Sequence, residues 1–228
     1  MANLKEIRNR IGSVSSTMQI TSAMKMVSAA KLKKAQDAIT AMRPYSNKLT
    51  QMLVNLSSSN DFENIYLKPR KAENLLVVCI TSNRGLCGAF NSNIIKKSFD
   101  LAESHEGNTS FFCIGKKGAD ILSKNHNVID SNNEIFDELS FEKVSLIAEV
   151  LMKKFTDKEV DRIQIVYNKF KNAATQIVMQ EQYLPIENNT TENNQQESAD
   201  YIFEPSKIEI ISELIPKSLK TQLFKSIR

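Results

Sequence analysis

Three cysteines, two histidines and no long apolar run set the first limits on this 228-residue chain. A transmembrane helix needs about 20 consecutive apolar residues, and no such stretch occurs. The opening Met1-Ala2-Asn3-Leu4-Lys5-Glu6 lacks the apolar core and cleavage site of a secretory signal. Cys79, Cys87 and Cys113 are odd in number and have no metal-ligand spacing. They read as reduced, mostly buried thiols of a cytosolic compartment. The Asn-x-Ser/Thr triplets at Asn55, Asn108 and Asn189 are then coincidence. His105 and His126 belong to no metal-like cluster and give Cys87 no base at useful spacing. No acidic cluster has calcium-loop spacing. Neither a catalytic residue, a cofactor site nor a metal site is expected. One further absence is local: no acidic residue falls between Glu6 and Asp37.

What the chain does have is a long apolar stripe. Leu4, Ile7, Ile11, Val14 and Met18 recur at three- and four-residue steps, followed by Leu32, Ala35, Ile39, Met42, Leu49, Leu53 and Leu56. That spacing places them on one seam of a helix, the pattern of a coiled coil. A helix over residues 1–57 would run roughly 80 Å at 1.5 Å per residue. Pro44 has no N–H for the carbonyl of Thr40, so a bend or a boundary between two helices is expected there. A seam so long needs a partner, and Lys207 to Arg228 is too short to cover it. The charge is lopsided as well. Residues 1–57 hold nine Lys and Arg against Glu6 and Asp37, a net +7, while the whole chain carries +4 and the remainder therefore −3. A basic rod on a mildly acidic body points to an acidic partner.

Residues 74–186 follow another pattern. Leu75-Leu76-Val77-Val78-Cys79-Ile80 suits a strand buried on both faces. A helix over 89–104 follows, then a strand at 110–114, a helix over 116–124, a third strand near Val128 and Ile129, and a helix over 141–156. That alternation predicts a mostly parallel sheet wrapped by helices. Strands at 162–166 and 175–183, joined through 171–174, add an antiparallel edge. Residues 57–73 form a polar connector. Residues 187–200 contain no aliphatic side chain larger than alanine and read as a mobile loop. The segment 207–228 is an amphipathic helix, with Pro216 as a break or a first-turn proline.

The turn Thr81-Ser82-Asn83-Arg84-Gly85-Leu86-Cys87-Gly88 invites a phosphate-binding reading, since it joins a strand to a helix. It lacks the lysine and hydroxyl of a phosphate loop and the three-glycine dinucleotide pattern, and reads as a structural or partner-contact turn. Met18 to Leu32 is the least ordinary stretch. Its apolar residues point all round the helix, and methionine, alanine and serine replace the Leu and Phe of a domain core. Such a surface is smooth and deformable, suited to a partner that changes its grip.

Ile20 to Leu32 (ITSAMKMVSAAKL), followed by Ala35-Gln36, is similar to the N-terminal helix of the γ subunit of F-type ATP synthases. Thr81 to Asn91 resembles that family's second signature, which more usually has Asp at the Asn83 position and Gly at Ala89. Tyr167-Asn168-Lys169-Phe170, Leu184-Pro185 and Tyr201-Ile202-Phe203-Glu204-Pro205 match in order. The resemblance implies a long N-terminal coiled-coil helix plus a Rossmann-like α/β domain with a mostly parallel sheet and an antiparallel edge. It implies a rotor shaft turning inside a hexamer of α and β subunits, with an ε subunit and a membrane rotor ring at its base. Met24, Lys25, Met26 and Lys31 would face the hexamer, Arg84 its lower rim, and Tyr201 and Glu204 the foot near the ring. The location implied is the cytoplasmic side of a bacterial inner membrane, with no small-molecule substrate and no nucleic acid. By the same resemblance residues 207–228 would start the family's C-terminal coiled-coil helix, antiparallel to the N-terminal one; that helix continues beyond the equivalent of Arg228, so the chain reads as a fragment. The competing readings are a basic coiled-coil nucleic-acid binder and a small α/β enzyme with a coiled-coil oligomerisation arm.

Overall fold

The computed structural model describes residues 3–57, 64–172, 175–186 and 206–228. The expected mobile loop at 187–200, together with Tyr201 and Glu204, lies outside them. By compactness the chain divides into Met1–Pro44 and Tyr45–Arg228. Helix α1 runs over Leu4–Ser57, 54 residues, and does not end at Pro44. The expected boundary between two helices is not found. A proline costs one backbone bond and a steric adjustment, and so long a cooperative ladder absorbs both.

The second unit is built on a five-stranded sheet in the order β3-β2-β1-β4-β5. The strands are β1 (Asn74–Ile80), β2 (Asn108–Ile114), β3 (Asn127–Asn132), β4 (Arg162–Phe170) and β5 (Gln176–Leu184). β1 pairs in parallel with both β2 and β4, and β2 in parallel with β3. β5 closes one edge antiparallel to β4, as the hairpin reading expected. β4 runs four residues beyond the expected Val166, because its pairing with β5 continues to Phe170 opposite Gln176.

Connection handedness distributes the helices. The links through α2 (Phe90–Ser104) and α3 (Lys116–Leu122) step from β1 to β2 to β3, so right-handed crossovers put both on one face. The link through α4 (Phe141–Thr156) steps back across β1 to β4 and falls on the opposite face. Every residue from Leu75 to Ile80 is consequently buried. Leu75, Val77 and Cys79 pack with Ile94, Phe111 and Leu122. Each such aliphatic or aromatic side chain contributes about 1.5–3 kcal/mol through burial.

Helix α5 (Lys207–Ile227) packs on α4 and β4. Ile211, Ile215, Leu219, Leu223 and Ile227 are buried at four-residue intervals, whereas Ile208 in the first turn is exposed. Pro216 lies inside the helix without breaking it. The Phe141 and Phe224 rings meet edge to face at 5.6 Å, and Lys220 Nζ pairs with Glu149 at 2.6 Å.

Candidate partner surfaces

The first surface is α1 itself. Leu4, Ile11, Val14 and Met18 are 63–74% exposed, and Ile20, Met24, Met26 and Val27 are 57–66% exposed. At 100° per residue Met24, Met26 and Val27 point in three different directions, so the apolar surface is not confined to one seam. Lys25 and Lys31 are exposed as well. Two hydroxyls in this stretch bond backward along their own helix. Thr17 Oγ1 donates to the Ser13 carbonyl at 2.9 Å, and Thr21 Oγ1 to the Thr17 carbonyl at 2.7 Å. Both threonines therefore keep their donors occupied.

The second surface is the turn at the carboxyl end of β1. In a parallel sheet this is where a nucleotide phosphate would sit, on free amides at a helix start. Here the residues of the turn are bonded instead to the amides that open α3. Asn83 Oδ1 accepts from the Lys116 amide at 2.9 Å, and Thr81 Oγ1 accepts from the Gly118 amide at 2.8 Å. The Lys117 amide donates to the Ser82 carbonyl at 3.2 Å. Gly115 (φ +103°) and Gly118 let the two loops approach this closely, and a Cβ at Gly118 would lie 2.9 Å from Thr81 Oγ1. The turn is thereby tied to the start of α3, and it lacks the lysine and hydroxyl of a phosphate loop.

The turn presents side chains instead. Arg84 is exposed, and Leu86 is fully exposed in the left-handed region at φ +61°. Cys87 is exposed too, while Cys79 and Cys113 are buried side by side on neighbouring strands. Burial pushes the Cys79 thiol up to about 11 and the Cys113 thiol up to about 12, the latter with a contribution from Cys79. Neither histidine serves Cys87. The His126 ring packs between Phe99 (4.9 Å) and Phe111 (5.2 Å), and His105 Nε2 lies 3.4 Å from the Glu73 carbonyl. Among the described residues no group of three or more His, Cys, Asp or Glu could hold a metal ion.

Of the residues singled out from sequence, Met24, Lys25, Met26 and Lys31 lie on α1 and Arg84 on the β1 turn. They fall in separate units, and each surface stands by itself. Sequence reasoning missed Leu86 and the two asparagines that shape its loop. One signal was available: Asn91 lies in the first turn of α2, and asparagine is a residue whose side chain readily bonds nearby backbone groups.

A sequence family described as ATP synthase matches residues 3–228. The chain is 60% identical over 231 residues to the ATP synthase gamma chain of Flavobacterium psychrophilum, covering 100% of this chain and 80% of that one. It is 61% identical, with the same coverage, to the ATP synthase gamma chain of Flavobacterium johnsoniae. Among solved structures it is similar to the central stalk and c-ring structure of the Tetrahymena thermophila mitochondrial ATP synthase. The TM-score is 0.69 at 24% identity, over 91% of each chain, a likeness of fold.

Proposed function

Since this chain belongs to the family of ATP synthase γ chains, we infer that it is the central-stalk rotor subunit of an F-type ATP synthase. It transmits rotation between a proton-driven membrane ring and a catalytic hexamer of α and β subunits. The chain makes and breaks no bonds of its own. Its partners are the hexamer, an ε subunit and the ring. It sits at the cytoplasmic face of a bacterial inner membrane; among the described residues no helix is long and apolar enough to cross a membrane. Met24, Lys25, Met26 and Lys31 face the hexamer, Arg84 meets its rim, and Tyr201 and Glu204 belong to the foot.

One observation carries this reading: α1 exposes apolar side chains along one seam from Leu4 to Met18 and in several further directions from Ile20 to Val27, while carrying no acid between Glu6 and Asp37. A helix that served its own domain would bury one face. One enclosed by an acidic sleeve is attracted from all sides, with little preference for one orientation. The nucleic-acid reading is disfavoured, because only Tyr45 on this helix could stack a base.

Reconstitution tests it. Mixed with purified α and β subunits, the chain should co-elute with the hexamer and raise its steady ATP turnover. Alone, it should show no thermal stabilisation by ATP or ADP. A chain that elutes apart from the hexamer, or whose melting temperature nucleotide raises, is not a rotor shaft.

A further inference from the structure

Asn91 reaches back from the first turn of α2 into the whole preceding loop. Its Oδ1 accepts from the Ser82 amide at 2.9 Å. Its Nδ2 donates to Ser82 Oγ at 2.9 Å and to the Arg84 carbonyl at 3.4 Å, and it lies 3.2 Å from Cys87 Sγ. The Ser82 hydroxyl completes the ring by donating to the Arg84 carbonyl at 2.6 Å. One amide therefore touches the beginning, middle and end of Ser82–Cys87.

Asn83 ties the same loop to its neighbours. Its Nδ2 donates to the Asn133 carbonyl at 2.6 Å, beyond β3, and its Oδ1 holds the Lys116 amide, beyond β2. From β4, Asn168 Nδ2 donates to the Phe90 carbonyl at 2.8 Å. The ends of β1, β2 and β3 thus meet at this loop and β4 holds the first residue of the helix that follows it, while the loop's outward side chains, Arg84 and Leu86, make none of these bonds. A left-handed leucine costs roughly 1–2 kcal/mol and persists only where surrounding structure enforces it.

We propose that Asn91, seconded by Asn83, is a positioning residue of the partner surface, holding Ser82–Gly88 in advance so that Arg84 and Leu86 engage a partner without first being ordered. The partner surface that fits is an apolar recess with an acidic rim. Leu86 is the apolar tip, and Arg84 stands beside it with Lys116 and Lys117 on the adjoining turn. The proposal rests on the assignment of Arg84 as a hexamer contact and adds the residue that makes the contact efficient. Preordering acts by removing the entropic cost of fixing a loop at the moment of binding.

The test compares the whole chain with Asn91→Ala, Asn91→Asp, the pair Arg84→Ala/Leu86→Ala, and combinations of these. Binding to the purified α/β hexamer, melting temperature and amide exchange at residues 84–88 are measured together. Asn91→Ala should weaken binding about five- to tenfold and speed exchange at residues 84–88, with the melting temperature nearly unchanged. Asn91→Asp keeps an acceptor for the Ser82 amide but loses the Nδ2 donors. It should give a smaller loss of the same kind, and it carries the test if the alanine variant folds poorly. On the Arg84→Ala/Leu86→Ala background, Asn91→Ala should add almost nothing. Wild-type affinity for both Asn91 variants, or a loss that simply adds to that of the pair, overturns the positioning role while leaving the contact intact. Unchanged affinity for the Arg84→Ala/Leu86→Ala pair overturns the contact assignment itself.

Discussion

Gly115 holds φ at +103°, and a Cβ placed there would overlap the Thr81 carbonyl oxygen. Gly115→Ala should therefore lower stability by at least about 1–3 kcal/mol from backbone strain alone, read as a reduced urea midpoint. The cysteines give a second residue-scale expectation. Cys87 should take up one equivalent of an alkylating reagent at pH 8, while Cys79 and Cys113 stay unmodified until the chain unfolds, a difference mass spectrometry resolves. Their raised pKa values also fix a pH dependence. Below the ordinary value of 9.0 both thiols are protonated in either state, so they leave stability unchanged. As pH rises from 9 towards 11 or 12, the unfolded chain ionises first and stability falls, by up to roughly 1.4 kcal/mol per pH unit for each thiol. At this scale the sequence was only partly legible. Two buried cysteines could be read from their apolar neighbours, but Asn83 and Asn91 act across loops that only the folded sheet brings together.

Elements were far more legible, because periodicity is a local property. The apolar run of β1 announced a strand covered on both faces, and the strand–helix alternation announced parallel pairing. The prolines did not end their helices. Pro44 and Pro216 both sit inside unbroken helices, since a single missing donor is outweighed by cooperative neighbours. Pro44→Ala restores a donor for the Thr40 carbonyl and should slow amide exchange around residues 40–48, by an amount bounded by the ~3 kcal/mol propensity difference. Helix α5 depends on its buried row rather than on its termini. Leu223→Ala should cost about 2–5 kcal/mol of unfolding free energy in urea titration. Glu149→Ala should cost well under 1 kcal/mol, because half of that carboxylate is in solvent.

For the whole molecule, the expected behaviour is electrostatic capture followed by adaptable packing. Lys25→Gln with Lys31→Gln should slow association with the α/β hexamer roughly two- to fivefold at low salt and flatten its salt dependence, while dissociation changes little. Stopped-flow association rates across an ionic-strength series check this. The back-bonded threonines set what happens after capture. Thr17 and Thr21 spend their hydroxyl protons on carbonyls one turn below, so a neighbour sliding across them meets no free proton at either hydroxyl. Each donor the shaft keeps for itself is one directional bond fewer to break as it turns, and a bearing dressed this way has fewer places to stick.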